Sequence, residues 1–138
     1  MAAVVGSRVP LHSTALGKAI VAFLPRSRIN KLLKHYKFRR FTPHTLTSRR
    51  RFTEDLLSIQ ERGYSLDAEE NELGASCIGI PILNDAGLAI GAVSVSGPSP
   101  RIQKQQKQII TALKKTSASI SKSLNVGIPE SKSEGVPE

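Results

Sequence analysis

The chain has no tryptophan, one cysteine, two tyrosines and four phenylalanines among its 138 residues. Each scarcity excludes something. With Cys77 alone, no internal disulfide can close. A metal site built on one cysteine and three scattered histidines lacks the usual ligand spacing. Aromatics make up 4% and apolar residues 39%, so the core must come from Ile, Leu, Val and Ala. Long apolar runs are missing as well. The longest, Ala19 to Leu24, is far too short to span a bilayer. The first residues lack the charged and apolar regions of a secretory leader. The reading is a single domain, cytoplasmic, without membrane contact.

Charge is absent in one sign over a long stretch. Residues 63–100 contain no Lys or Arg and five acids, whereas residues 1–62 carry 13 Lys/Arg against three acids, and residues 101–138 carry seven against three. The net charge of +9 is compatible with nucleic-acid contact. The basic groups are spread over several segments without interleaved aromatics, so solvated helix faces are the simpler reading. The sharpest cluster, Arg49-Arg50-Arg51, sits at the expected start of a helix, the unfavourable end for cations. It marks either a contact to phosphate or an acidic partner, or a solvated face; the latter is preferred.

Apolar periodicity organises the rest. Ala2 to Val5 reads as a short strand. Ser13-Thr14 stands where a helix cap would, before a helix over Ala15–Leu24 whose apolar face is Leu16, Ala19, Ile20 and Phe23. Pro25 stops it. A second helix from Ser27 would bury Ile29, Leu32 and Leu33. Thr47 can cap a third, with Phe52, Leu56 and Ile59 inward and Gly63 at its end. Tyr64–Asp67 reads as a strand and Glu69–Glu72 as an acidic loop. Ser76–Leu83 and Leu88–Ser96 are strands joined by Asn84-Asp85-Ala86-Gly87, a hairpin connection. Ile102 to Leu124 follows a long amphipathic helix. Residues 1–124 thus form the domain, and residues 125–138, rich in Ser, Glu, Lys, Gly and Pro, read as a disordered tail. Helices grouped before a hairpin give an α+β fold, a mostly antiparallel sheet flanked by helices. One short strand before the helices leaves that sheet under-built, as though N-terminal strands were missing.

Four segments in this order resemble the effector-binding domain of the IclR (isocitrate-lyase regulator) family: Gly6–Ala19, Thr42–Thr47, Gly63–Glu70 with Gly74–Ile82, and Ala92–Pro98. The resemblance implies a GAF-like fold and a sensor of a small organic acid, associating as a homo-oligomer, dimer or tetramer. It implies that DNA is bound only through a winged helix-turn-helix domain absent from this chain. No cofactor or metal is expected. In the resemblance, ligand contacts fall at Ala15 and Leu16, with Gly17 beside them. The free N–H groups and positive dipole of a helix start suit a carboxylate there; a capped helix with a packing glycine is the plainer alternative. Asp67 becomes a pocket residue accepting a hydrogen bond, or a strand-end carboxylate. Cys77 is a pocket wall, an inert core residue, or, in an enzyme reading, a thiol lacking a paired base. Ser94 and Ser96 share one face of their strand, towards a carboxylate or keto oxygen, or at a solvated edge. Ala75 stands where some members carry a larger aliphatic residue, which predicts a ligand larger than a two- or three-carbon acid, aromatic or hydroxylated. His12 and His44 are expected to pack or cap. A sensor, not an enzyme, is the preferred reading. Its rivals are a GAF-like enzyme using Cys77, a domain acting only in assembly, and a nucleic-acid binder acting through the basic helices.

Overall fold

The computed structural model describes residues 4–127. Three helices come first: α1 (Ala15–Ala22), α2 (Arg26–Leu33) and α3 (Arg49–Arg62). Three strands follow, β1 (Ser65–Ala68), β2 (Ala75–Leu83) and β3 (Ala89–Pro98), then α4 (Ser99–Lys104) and α5 (Gln106–Gly127). The strands form one antiparallel sheet in the order β1-β2-β3. Helices cover both faces. On one side Ile78 and Ile80 of β2 pack with Ile102 of α4 and Leu113 of α5. On the other side α1 lies on the sheet, and Val21 and Ala22 join Leu33, Phe52, Leu56 and Ile59 in a core shared with α2 and α3. Burying such side chains contributes roughly 1.5–3 kcal/mol each.

The local rules act as the residues suggest. Thr14 caps α1, its Oγ1 accepting from Gly17 N–H at 3.1 Å. Ser48, one residue past the expected Thr47, caps α3 by accepting from Arg51 N–H at 3.2 Å. Gly63 ends α3 at φ +84°, a left-handed geometry that costs glycine nothing.

Four expectations are corrected. In the expected strand Ala2–Val5, Ala2 and Ala3 lie outside the described residues, while Val4 and Val5 are exposed in a turn closed by Ser7 N–H on Val4 O at 3.1 Å. Among the described residues the sheet has three strands, and neither Val4 nor Val5 belongs to one. On α2, Leu33 is buried but Leu32 is exposed, because a short helix touches the core along a narrow stripe. On α1 the buried residues are Ala15, Gly17, Lys18, Ala19, Val21 and Ala22; Leu16, Ile20 and Phe23 are only half-buried. The helix is pressed between the sheet and α3, and the stripe it buries there is made of small side chains and Lys18. Finally, the helix expected over Ile102–Leu124 breaks at Gln105, and α5 continues through Gly127. Ile102 packs on Gly97, where an added Cβ would lie 3.3 Å from it. The turn at Gln105 then lets Ile109, Ile110 and Leu113 face the same sheet. Of the tail, Asn125–Gly127 is therefore helical, and residues 128–138 lie outside the described residues.

Candidate functional site

The register of the sheet decides which side chains meet. Asp67 stands opposite Cys77, and Cys77 opposite Ser96. Ser65 stands opposite Gly79, and Gly79 opposite Ser94; Ala75 faces Pro98. Directly opposed residues share a face, and so do residues two apart. Asp67, Ala75, Cys77, Ser94 and Ser96 therefore lie on one face, the face that α1 covers.

The start of α1 is seated on that face by close backbone contact. Ser65 Oγ donates to Ala15 O at 2.6 Å. A Cβ on Gly79 would come within 2.7 Å of the same oxygen. Glycine at 79 is what lets the helix start approach so near. Ala15 is fully buried and Leu16 half-buried. The first N–H groups of a helix have no intrahelical acceptor, which leaves those of Ala15 and Leu16 outside the ladder of α1. Gly17 differs: its N–H is committed to Thr14, and a Cβ there would meet the Leu11 backbone at 2.7 Å. Gly17 packs, and does not present a donor.

Sulfur and hydroxyls meet across β2 and the edge strand β3, with Cys77 buried, Ser94 half-buried and Ser96 exposed. Ser96 Oγ donates to Cys77 Sγ at 3.1 Å. Burial pushes the Cys77 thiol above its ordinary value, against hydrogen bonds from Ser96 and Ser94 that act the other way. Asp67 is 8% exposed, and burial raises its carboxyl to about 6, against hydrogen bonds from Glu70 and Asn71. Its Oδ1 accepts from the N–H groups of Glu70 (2.8 Å) and Asn71 (3.3 Å), so Asp67 also caps the acidic loop.

That loop is held by residues whose roles the sequence did not disclose. Lys18 is 1% exposed, and its ammonium binds Asp55 at 2.8 Å, Glu70 at 2.9 Å and the Leu66 carbonyl. Thr42 Oγ1 donates to Glu69 O and Thr45 Oγ1 to Glu70 O, each at 2.6 Å. Ser13 Oγ donates to Asn71 Oδ1 at 2.8 Å. Glu69 takes φ +55°, a conformation that asks for such external support. Lys18 was detectable in principle, as a lone cation three residues after Ala15 and four before Ala22 on the buried stripe. His12 packs as expected, its ring nitrogens bonded to Tyr36 OH (2.8 Å) and Arg39 O (2.7 Å). His44 is exposed.

Two open cavities lie elsewhere. One, of about 380 Å³, is walled by Arg62, Gly63, Pro81, Lys114, Ser117 and Ser121 among others. The other, of about 300 Å³, lies beside Arg51, Asp55 and Glu70. Neither contains any of the eight residues singled out in the sequence. In the larger one, Ser117 and Ser121 already donate to Pro81 O and Leu83 O at 2.6 Å each. Among the described residues no cluster of His, Cys, Asp and Glu could hold a metal ion, and no helix is long and apolar enough to cross a membrane.

Comparison with known proteins follows the same lines. The family model described as "Bacterial transcriptional regulator IclR C-terminal" matches residues 1–122. The HTH-type transcriptional regulator XynR of Escherichia coli is 41% identical over 98 residues, 71% of this chain and 39% of that protein. The chain therefore spans well under half the length of such curated relatives. The crystal structure of the Thermotoga maritima IclR superposes with a TM-score of 0.85 at 36% identity, covering 90% of this chain and 51% of that one. A double mutant of the inducer-binding domain of the Acinetobacter PobR transcription factor, solved in complex with 3-hydroxybenzoic acid, gives a TM-score of 0.76 at 32% identity, covering 84% of this chain and 67% of that one. These relatives are transcriptional regulators. With the family model matched over residues 1–122 and a relative 41% identical over 71% of the chain, this chain belongs to the IclR transcriptional regulators and matches their C-terminal, effector-binding domain.

Proposed function

We propose that the domain senses a small organic acid, held between the start of α1 and the covered face of the sheet. The observation that carries this reading is the convergence of Asp67, Cys77, Ser94 and Ser96 on the sheet face against which Ala15 is seated. The carboxylate would take the N–H groups of Ala15 and Leu16, at the positive end of α1. Ser94 and Ser96 would bond a second oxygen, and Asp67 would accept from a ligand hydroxyl. The small Ala75 and Cys77 would wall the apolar part, leaving room for an aromatic or hydroxylated acid rather than glyoxylate or pyruvate. Occupancy would bias the conformation or assembly of the parent regulator by differential affinity, and so its grip on DNA, exerted through a helix-turn-helix domain, in the cytoplasm. No catalytic step is assigned: burial holds the Cys77 thiol protonated, the opposite of what a nucleophile needs. The assembly would be homo-oligomeric. The outer edge of β3 has no strand neighbour among the described residues, and Ile90 and Val95 on it are exposed, the kind of edge that invites association.

The test is thermal unfolding of the domain with benzoate, 3-hydroxybenzoate, pyruvate and glyoxylate. A ligand at 100 times its Kd stabilises the folded state by about 2.7 kcal/mol. The expected result is a concentration-dependent rise in Tm with a hydroxylated aromatic acid, lost in Ser94→Ala. A rise with glyoxylate or pyruvate alone would overturn the size argument. A rise that Ser94→Ala and Asp67→Ala leave untouched would overturn the site.

A further inference from the structure

Between residues 26 and 51 the chain carries ten Lys or Arg and no Asp or Glu. In sequence they are spread over two helices and a connector; in the fold these three segments adjoin, Leu33 of α2 and Phe38 of the connector sharing a core with Phe52 of α3. Arg49 Nη2 of α3 donates to Asn30 Oδ1 of α2 at 3.4 Å. Phe38 of the connector packs on Phe52 of α3, ring centroids 5.5 Å apart. Arg40 Nη2 donates to Thr47 Oγ1, just before the α3 cap, at 3.3 Å. All ten cations are exposed. The nearest acid in sequence, Glu54, meets Arg50 at 3.3 Å in a pair that is itself exposed, an arrangement that contributes little.

The pattern is unfavourable for the free protein. Arg28 and Lys31 of α2 and Lys34 at its C-cap recur every third residue, and like charges at that spacing oppose one another, although Lys31 and Lys34 suit the negative end of the helix. Neither α2 nor α3 has an acid in its first turn; instead Arg26, Arg28 and Arg49–Arg51 add positive charge to the positive dipole ends. A surface adapted only to water interleaves both signs. This one is adapted to a dense line of negative charge. We infer that the α2–α3 surface binds the sugar-phosphate backbone of duplex DNA, without reading its sequence. Duplex DNA presents about one charge per 1.7 Å of axis, and the choice of DNA over other polyanions rests on the regulator reading above. The contact supplements a helix-turn-helix domain by adding affinity next to its site.

The experiment measures binding of the full chain to a labelled 20-base-pair duplex of scrambled sequence by fluorescence anisotropy, from about 50 to 200 mM salt. Arg49→Gln/Arg50→Gln/Arg51→Gln and Arg28→Gln/Lys31→Gln/Lys34→Gln remove charge from two different elements of the surface. Lys104→Gln/Lys107→Gln/Lys115→Gln removes the same charge from exposed positions on α4 and α5, beyond the opposite face of the sheet. Circular dichroism verifies the fold of all three. The expected result is binding by the parent chain and an affinity loss of about 10- to 100-fold in each surface variant. Their salt slopes should flatten by about one unit per removed contact, with the α4–α5 variant close to the parent. No binding at 50 mM salt overturns the inference. So does an equal loss in all three variants, which would mean diffuse charge, or competition by poly-L-glutamate as strong as by unlabelled DNA, which would mean an acidic protein partner. Acid-induced Tm shifts read the effector pocket separately, so either reading can fail alone.

Discussion

Replacing Lys18 by methionine removes a buried cation and little else, because the two side chains are similar in volume. The ammonium is 1% exposed and bridges Asp55 of α3, Glu70 of the acidic loop and the carbonyl of Leu66 in β1. Asp55 retains Arg62 at 3.9 Å, but Glu70, 10% exposed, loses its cation. Breaking a buried pair from one side costs roughly 3–5 kcal/mol. For a domain of this size that lowers Tm by about 10–20 °C. The loss should depend on pH. Lys18 is one of the charges holding Asp67 down, so without it the Asp67 carboxyl rises further above 6. A carboxyl raised in the folded state destabilises above that value and is relieved below its unfolded value, so the deficit of Lys18→Met should shrink from pH 7.5 towards pH 5. Calorimetric melts at the two pH values test this. A Tm within about 4 °C of the parent at pH 7.5 would refute the reasoning, since it would mean that the acidic loop is secured without Lys18.

Asp67→Asn should remove the pH dependence that this carboxyl causes. The folded carboxyl sits at about 6 against 3.8 for the ordinary group; the folded state then binds more protons between these values, and stability falls as pH rises through that window, by about 3 kcal/mol in all. The variant can still cap Glu70 and Asn71 through Oδ1, so it should melt higher than the parent at pH 7 and equal to it near pH 4; identical pH profiles in urea titrations would contradict the assignment. Gly79→Ala places a methyl 2.7 Å from Ala15 O and Ser65 Oγ; it should cost roughly 1–3 kcal/mol and abolish acid binding, and a variant that binds normally would dissociate the α1 seat from the site. Ser117→Ala/Ser121→Ala strips the donors from the free edge of β2, where Pro81 has no N–H to offer and the carbonyls of Pro81 and Leu83 are otherwise covered. Each loss should cost about 1 kcal/mol, with concentration-dependent association in light scattering; unchanged chemical denaturation would show that water replaces both hydroxyls.

Much of this fold was legible because period and punctuation agreed. The α3 residues Phe52, Leu56 and Ile59, ended by Gly63, gave face and boundary together. The hairpin across Asn84–Gly87 follows from the turn residues between two strand-forming runs. The pairing of Ser94 and Ser96 on one face needed only the two-residue repeat of a strand. What period cannot state is which face of a short helix wins. On α1 the large apolar residues Leu16, Ile20 and Phe23 suggested one stripe, but close packing over Gly79 selected the small ones and Lys18. A buried ammonium is unreadable without its partners, and these sit 37 and 52 residues away. Thr42 and Thr45 looked like an irregular segment because their hydroxyls act on carbonyls 27 and 25 residues on. The basic groups looked scattered for the same reason: contacts such as Arg49 to Asn30, which gather them, are tertiary.

The central claim is the place where the acid binds, and amide chemical shifts of the ¹⁵N-labelled domain during titration with 3-hydroxybenzoate test it most directly. The account predicts that the Ala15 and Leu16 resonances move first and furthest, with Asp67, Cys77, Ser94 and Ser96 following and Arg49–Arg51 still. Shifts centred on Gly63, Lys114 and Ser117, around the cavity of about 380 Å³, would place the ligand elsewhere and contradict it.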